Sequence, residues 1–206
     1  AATLLISNAN AGTTLAAPLA GTGTVRLDNN ISGTAGAQGA TLTGNNVGFT
    51  GTLLIQPSGT FAANGTMRLS SSTPAQLGGA TVVVKDRGQA YLTNATFANN
   101  FVISGLGFAD SVNYSGTSAA VLGFGSSFGL GAIRIDGATL TGNVRIDGNA
   151  KINSYSNTGI LNGVISSTNA SDVLILGGQG TANSTLRLLG NNTFGDLWIN
   201  GGGYAA

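Results

Sequence analysis

Ala132-Ile133-Arg134-Ile135-Asp136-Gly137 is answered eleven residues later by Asn143-Val144-Arg145-Ile146-Asp147-Gly148. In each copy an aliphatic residue alternates with a polar or charged one. An extended chain therefore turns the aliphatics to one side and the Arg and Asp to the other. Val25-Arg26-Leu27-Asp28 is a third, looser copy. Self-similarity of this kind is the mark of stacked repeats, in which each unit buries its apolar side against its neighbours. The Arg and Asp of a copy lie two apart on one face, where they are expected to pair along or across strands.

Around this pair the chain is built from short β-prone runs, each closed by Gly or Asn. They are Thr3-Ile6, Thr24-Leu27, Thr52-Ile55, Thr66-Leu69, Thr81-Val84, Phe101-Ile103, Ala132-Ile135, Val144-Ile146, Val173-Leu176, Thr185-Leu189 and Leu197-Ile199. The runs follow one another at roughly 10 to 20 residues, the spacing of an all-β chain with a turn after every strand. A strand that crosses a bilayer needs about 9 to 11 residues, so an outer-membrane barrel is not expected in this chain.

Composition points the same way. Of 206 residues, 34 are Gly, 3 are Pro and 42% are hydrophobic, so a core can be buried. Only 7% are charged, all seven acids are Asp, and His and Cys are absent. The straight-chain helix formers Glu, Lys and Met are nearly missing, while Val, Ile, Thr, Gly and Asn supply strands and turns. Low charge suits stacked coils, whose flat sides tolerate Thr, Ser, Asn and Ala. Asn recurs at strand ends, in Asn45-Asn46, Asn64-Gly65, Asn162-Gly163 and Asn191-Asn192. Such Asn side chains are expected to bond along a stack.

These features predict an all-β chain: a right-handed parallel β-helix, one elongated domain over residues 1–206. Coils of about 20 residues rising about 4.8 Å each give roughly ten coils and a rod of roughly 50 Å. The pattern loosens over 104–131, a stretch rich in Gly, Ser and Phe with Phe108, Phe124 and Phe128. This stretch reads as a protruding loop or an irregular coil, and it is too apolar for a linker. At the far end Trp198 alternates with Leu197 and Ile199, which predicts Trp198 outward and its neighbours packed. An outward Trp could stack on a sugar or on a partner copy, or lie under an adjacent loop.

The residues for most chemistries are missing. Without His there is no usual base for a hydrolytic triad, and neither Lys85 nor Lys151 stands in a nucleophile motif. Without Cys there are no disulfides and no thiolate zinc site. Gly177-Gly178-Gln179-Gly180-Thr181 opens like a calcium-binding repeat, but Ala182 stands where an Asp is needed. Gly201-Gly202-Gly203 lacks the Lys-Ser/Thr of a phosphate loop. Two Thr-x-Thr pairs, Thr22-Thr24 and Thr41-Thr43, are too irregular for an ice-binding array. Asp136 and Asp147 are the one suggestive pair of acids: if their repeats stack, they fall within glycosidase reach. An Arg two residues before each favours an exposed ion-pair ladder instead. The expectation is no catalytic residue, no metal site and no cofactor. The net charge is +1 with scattered basic residues, which predicts no nucleic-acid partner. No apolar run reaches the length of a membrane helix.

Two stretches carry a resemblance. Gly44-Asn45-Asn46-Val47-Gly48-Phe49-Thr50-Gly51 leads into Thr52-Ile55 and then Gly59-Thr60-Phe61. Gly190-Asn191-Asn192-Thr193-Phe194-Gly195 leads into Leu197-Trp198-Ile199-Asn200-Gly201-Gly202. Both resemble the passenger-associated repeat of bacterial autotransporters, G-N-N-T-F-T-G followed by a strand and N-G-G. The first inserts Gly48 before Phe49, and the second lacks the Thr after Phe194. The resemblance implies an exported β-helix on the bacterial surface, with Phe packed as an internal plug and no catalysis.

The expectation is thus a secreted, non-enzymatic structural or adhesive segment, extracellular or on the outer-membrane surface. Its partners would be neighbouring coils of a longer chain or copies of itself, with surface glycans as candidate ligands. The alternatives are a filament subunit stacking end to end and a polysaccharide-active β-helix enzyme.

Overall fold

A computed structural model describes residues 2–7, 13–28, 39–58, 67–107, 130–178 and 184–200. In chain order the elements begin β1 (Thr3–Ser7), β2 (Thr13–Leu15), β3 (Thr24–Asp28), β4 (Gly39–Leu42), β5 (Thr52–Ile55) and β6 (Met67–Ser71). A single helical turn, α1 (Pro74–Leu77), follows, and then β7 (Thr81–Val84), β8 (Gly88–Thr93), β9 (Thr96–Phe97) and β10 (Phe101–Gly105). The second half holds β11 (Ile133–Asp136), β12 (Thr139–Leu140), β13 (Val144–Ser154), β14 (Gly159–Leu161), β15 (Ile165–Ser167), β16 (Val173–Gly178), β17 (Leu186–Leu188) and β18 (Asp196–Asn200).

Every pairing among these strands is parallel. One face stacks β1, β3, β5, β7, β10, the front of β13 and β15. A second stacks β2, β4, β6, β8, β11, the back of β13, β16 and β18. The third, β9, β12, β14 and β17, closes the later coils. Strand β13 turns the corner between the first two faces at Gly148, whose φ of 92° suits glycine. The strands thereby join into one parallel sheet that curls 305° about an axis. The chain is a parallel β-helix.

Inside the coil the alternation of each strand becomes columns of side chains. Val25, Leu53, Val82, Phe101, Val144 and Ile165 stack in register and are buried. Ala40, Leu69, Ala90, Ile133, Ile152 and Leu176 do the same on the second face. Each fully buried aliphatic contributes about 1.5–3 kcal/mol, so the columns hold the coils together. Phe49 is buried as a plug between coils, as the repeat pattern implied, and Phe194 packs partly buried against the same core.

Coil length departs from expectation. Leu4, Val25, Leu53, Val82, Phe101, Val144 and Ile165 are spaced 21, 28, 29, 19, 43 and 21 residues apart. Among the described residues this face holds eight rungs, counting the Ser166–Thr193 bridge, against the ten expected, and at about 4.8 Å per rung they span roughly 34 Å. The columns stay in register from rung to rung, so the corners absorb the difference in coil length. The coil of 43 contains residues 108–129, which lie outside the described residues along with Phe108, Phe124 and Phe128. Without them this coil would count 21, like its neighbour. The described residues resume at Leu130, and Gly107 bridges directly to Gly131.

Of the Asn residues expected to bond along the stack, Asn46 and Asn192 do so, but to backbone rather than to each other. Asn45 bonds locally to the Val47 N–H, and Asn64 lies outside the described residues. Asn46, 1% exposed, accepts from the Leu19 N–H at 2.8 Å and donates to the Gln76 carbonyl at 2.7 Å, tying three coils through one amide. Asn100 Oδ1 accepts from the Asn143 N–H, Asn143 Oδ1 from the Val164 N–H, and Asn192 Oδ1 from the Ile165 N–H.

Candidate functional site

The two copies that first suggested the fold do not stack on each other. Ile133 pairs with Ala90 and Ile152 on the second face, while Val144 pairs with Phe101 and Ile165 on the first. They are consecutive sides of the helix, so Asp136 and Asp147 are not rung neighbours and the stacking behind a glycosidase pair is absent. The ion-pair ladder is corrected too. Asp136 accepts the Tyr91 hydroxyl at 3.1 Å and the Asn157 amide at 2.6 Å. Asp147 pairs with Lys85 at 3.1 Å rather than with Arg145. The looser third copy does make the predicted pair, Arg26 to Asp28 at 3.0 Å. Asp28 is buried and also accepts from the Ser58 N–H and hydroxyl of the next coil. Asp172 accepts from the Asn169 N–H at the turn before β16. These carboxylates are occupied in holding turns and rungs.

Sequence reading missed a column of cations and rings on the outer side of the second face. The Arg68 guanidinium lies 5.4 Å from the Tyr91 ring centre, and that of Arg134 lies 5.3 Å from Tyr91 and 3.9 Å from Tyr155. These are cation–π distances, which fix the four side chains across four coils. Burial pushes the Tyr91 hydroxyl above its ordinary value, and the Asp136 carboxylate adds to that. Gln89 lies buried beneath, accepting from Arg68 Nε and donating to the Leu130 and Gly131 carbonyls. Farther along, Lys151 is buried on this outer side, and burial lowers its ammonium to about 8. Gly177 leaves room for it, since a Cβ there would stand 2.5 Å from Lys151 Cε and 2.6 Å from Asn153 Oδ1. No spacing reveals this column, because coils of unequal length separate its members.

The outer side of the first face is different in kind. Thr3, Thr24, Thr52 and Thr81 stand in register on four successive rungs. Beside them run Leu5, Arg26, Leu54, Val83, Val102 and Arg145. Leu54, Val83 and Val102 are half-buried with no charge between them, a flat strip of methyls and hydroxyls along the axis. The Thr pairs singled out from the sequence are not this array: of Thr22, Thr24, Thr41 and Thr43, only Thr24 belongs to it.

The ends of the stack complete the surface. Trp198 does lie on an outward column, in register with Ile175, and is half-buried. Leu197 and Ile199 point inward, as expected, on the columns of Leu174 and Leu176, yet they are exposed because β18 is the last described rung. Among the described residues no group of three or more acidic side chains is placed to hold a metal ion, and no helix is long and apolar enough to cross a membrane.

No family model, no curated protein and no solved structure matches this chain.

Proposed function

We propose that the chain is a non-enzymatic structural and adhesive β-helical segment of an exported bacterial surface protein of the autotransporter type. The observation that carries this reading is the charge-free stretch of Thr52, Thr81, Leu54, Val83 and Val102 on the outer side of the first face, laid down by in-register rungs between Arg26 and Arg145. Methyls and hydroxyls alternating at a fixed pitch match the faces of an extended glycan, which offers C–H planes and hydroxyls at regular intervals. Export is supported by the likeness of Gly44–Gly51 and Gly190–Gly195 to the passenger-associated repeat, the first with Gly48 inserted before its Phe. The enzyme alternative loses its best pair of acids with the register of β11 and β13.

The test is retention of the purified chain on insoluble glucans, chitin and peptidoglycan, beside a variant carrying Leu54→Lys and Val83→Lys. Both positions point outward, so circular dichroism should be unchanged while retention on the bound glycan falls at least tenfold. Equal retention of the variant, or no retention of the wild type above a blank support, overturns the adhesive reading. Sugar release that is lost in Asp136→Asn or Asp147→Asn overturns the non-enzymatic one.

A further inference from the structure

Thr93, Asp136 and Tyr155 close the outer side of the second face on three successive rungs, midway along the stack. Asp136 pairs with Thr93, and the Tyr155 N–H donates to the Ile135 carbonyl, which sets Tyr155 beside Asp136. Just beyond them the chain turns towards the third face at Asn94, Gly137 and Asn157, all three exposed. A Cβ on Gly137 would stand 2.8 Å from Asn94 Oδ1 and 3.6 Å from the Asn157 Cβ. The bare glycine is therefore a floor between two amides.

Three features distinguish this corner from a plain turn. Asn94 holds φ at 51°, and only Arg87 joins it among the described non-glycine residues in the left-handed region. That conformation strains any residue with a Cβ, so a corner needing only the turn is better served by glycine. The Asn94 amide makes no hydrogen bond within the described residues, yet its oxygen stands over Gly137. Secondly, the Arg134 guanidinium covers one face of the Tyr155 ring at 3.9 Å, while Tyr155 remains 36% exposed, so the other ring face is open. Thirdly, the Asp136 carboxylate is fixed in place. Its Oδ2 accepts the Tyr91 hydroxyl at 3.1 Å and its Oδ1 the Asn157 amide at 2.6 Å. Each of its oxygens keeps another lone pair, and the Asn157 amide keeps its second N–H and its carbonyl.

An open aromatic face beside a fixed carboxylate and two amides suits a pyranose ring. The C–H face of the sugar stacks on the aromatic ring, and its neighbouring hydroxyls donate to the carboxylate and bond both ways with the amides. The Asp136 charge faces the same patch and repels an anionic ligand, whereas the Arg134 charge is buried behind Tyr155.

We propose that this corner binds a neutral hexopyranose, stacked on Tyr155 and hydrogen-bonded to Asp136, Asn94 and Asn157. The site lies on a different side of the coil from the Leu54 and Val83 strip and does not depend on it. A free sugar and a sugar unit within a chain present the same ring.

The test is titration of the 206-residue chain with the methyl glycosides of glucose, galactose and mannose, followed by proton–nitrogen NMR. The Gly137 backbone amide and the Asn94 and Asn157 side-chain amides should shift with at least one of them, with Kd on the order of millimolar. Tyr155→Ala should weaken binding at least tenfold and Tyr155→Phe by less than about twofold, because the ring is what stacks. Asn94→Gly suits the left-handed backbone, so it keeps the fold while loss of its hydrogen bond weakens binding about three- to tenfold. Thermal unfolding checks that each variant is folded. Sorbitol, which has the hydroxyls without the ring face, should shift nothing. A trisaccharide that binds more tightly than the methyl glycoside identifies a unit within a chain, equal affinity a lone or terminal sugar, and both are the ring proposed. No shift at the three residues at tens of millimolar of any hexoside overturns the proposal. So does undiminished binding in both Tyr155→Ala and Asn94→Gly. Glucuronate that binds as well as the neutral sugars overturns the choice of a neutral ligand. The Leu54→Lys and Val83→Lys variant should titrate like wild type. Loss of the shifts in that variant would place the sugar on the strip and overturn this inference alone, so the two readings fail separately.

Discussion

Removing the Asn46 side chain should test how the coils are tied to one another. Its amide accepts from Leu19 at 2.8 Å and donates to Gln76 at 2.7 Å, and it is 1% exposed. Asn46→Ala therefore deletes two bonds and leaves an N–H and a carbonyl of two other coils without partners. A buried group left unsatisfied costs about 1–3 kcal/mol, so the pair sets a loss of about 2–6 kcal/mol. Asn143 gives the internal comparison. It likewise accepts from the next coil, at 3.0 Å from Val164, but it stands exposed, where water replaces the lost group. Asn143→Ala should cost about 0.5 kcal/mol. The assay is urea unfolding followed by far-ultraviolet circular dichroism, with Trp198 fluorescence recorded in parallel. Trp198 sits on the last described rung, so coincident transitions show that the stack unfolds as one unit and that the free energies can be compared. A loss below 1 kcal/mol for Asn46→Ala, or equal losses at the two positions, refutes the reasoning that burial of the bridging amide is what matters.

Two glycines should respond oppositely for a similar reason. A Cβ on Gly163 would stand 2.0 Å from the Gly142 carbonyl oxygen one coil away, and backbone cannot move aside, so Gly163→Ala should cost about 3 kcal/mol or more. Gly148 has open space but a φ of 92°, so Gly148→Ala should cost only about 1–2 kcal/mol; the reverse order in urea midpoints contradicts the packing. Lys151 should make stability depend on pH. With its folded value lowered from 10.5 to about 8, the unfolded chain holds a proton that the folded chain has released between those values. Its penalty is full below pH 8 and fades as pH rises towards 10.5. At about 1.4 kcal/mol per unit, Lys151→Met should stabilise by about 1–3 kcal/mol at pH 7 and by little at pH 10.5. An equal gain at both values would mean that the charge is not the cause.

The inward columns were legible because they depend on one rule, alternation within a strand, which needs no knowledge of neighbours. Runs such as Thr52–Ile55 and Thr81–Val84 appear where they were expected. Strands β9, β12 and β14 are only two or three residues long and are set by the coils on either side, so no local pattern marks them. Strand β8 reads GQAYLT, whose Gly, Gln and Ala argue against a strand, yet Gln89 and Ala90 are buried within it. The helical turn at Pro74–Leu77 was missed although Thr73-Pro74 announces it, with Pro in the first turn. Register was the larger failure. Two copies eleven residues apart looked stacked, but a coil takes 19 residues or more, so near repeats fall on adjacent faces. The Arg68, Tyr91, Arg134 and Tyr155 column and the Thr strip both follow from register, which unequal coil lengths conceal.

The junction of Gly107 with Gly131 has a practical consequence. Gly107 and Gly131 touch, and a flexible connection between two touching points can vary widely in length, since each doubling costs only about 0.6 kcal/mol in closure entropy. That corner is a natural mounting point: foreign peptides or whole small domains with adjacent termini could be exchanged there for residues 108–129.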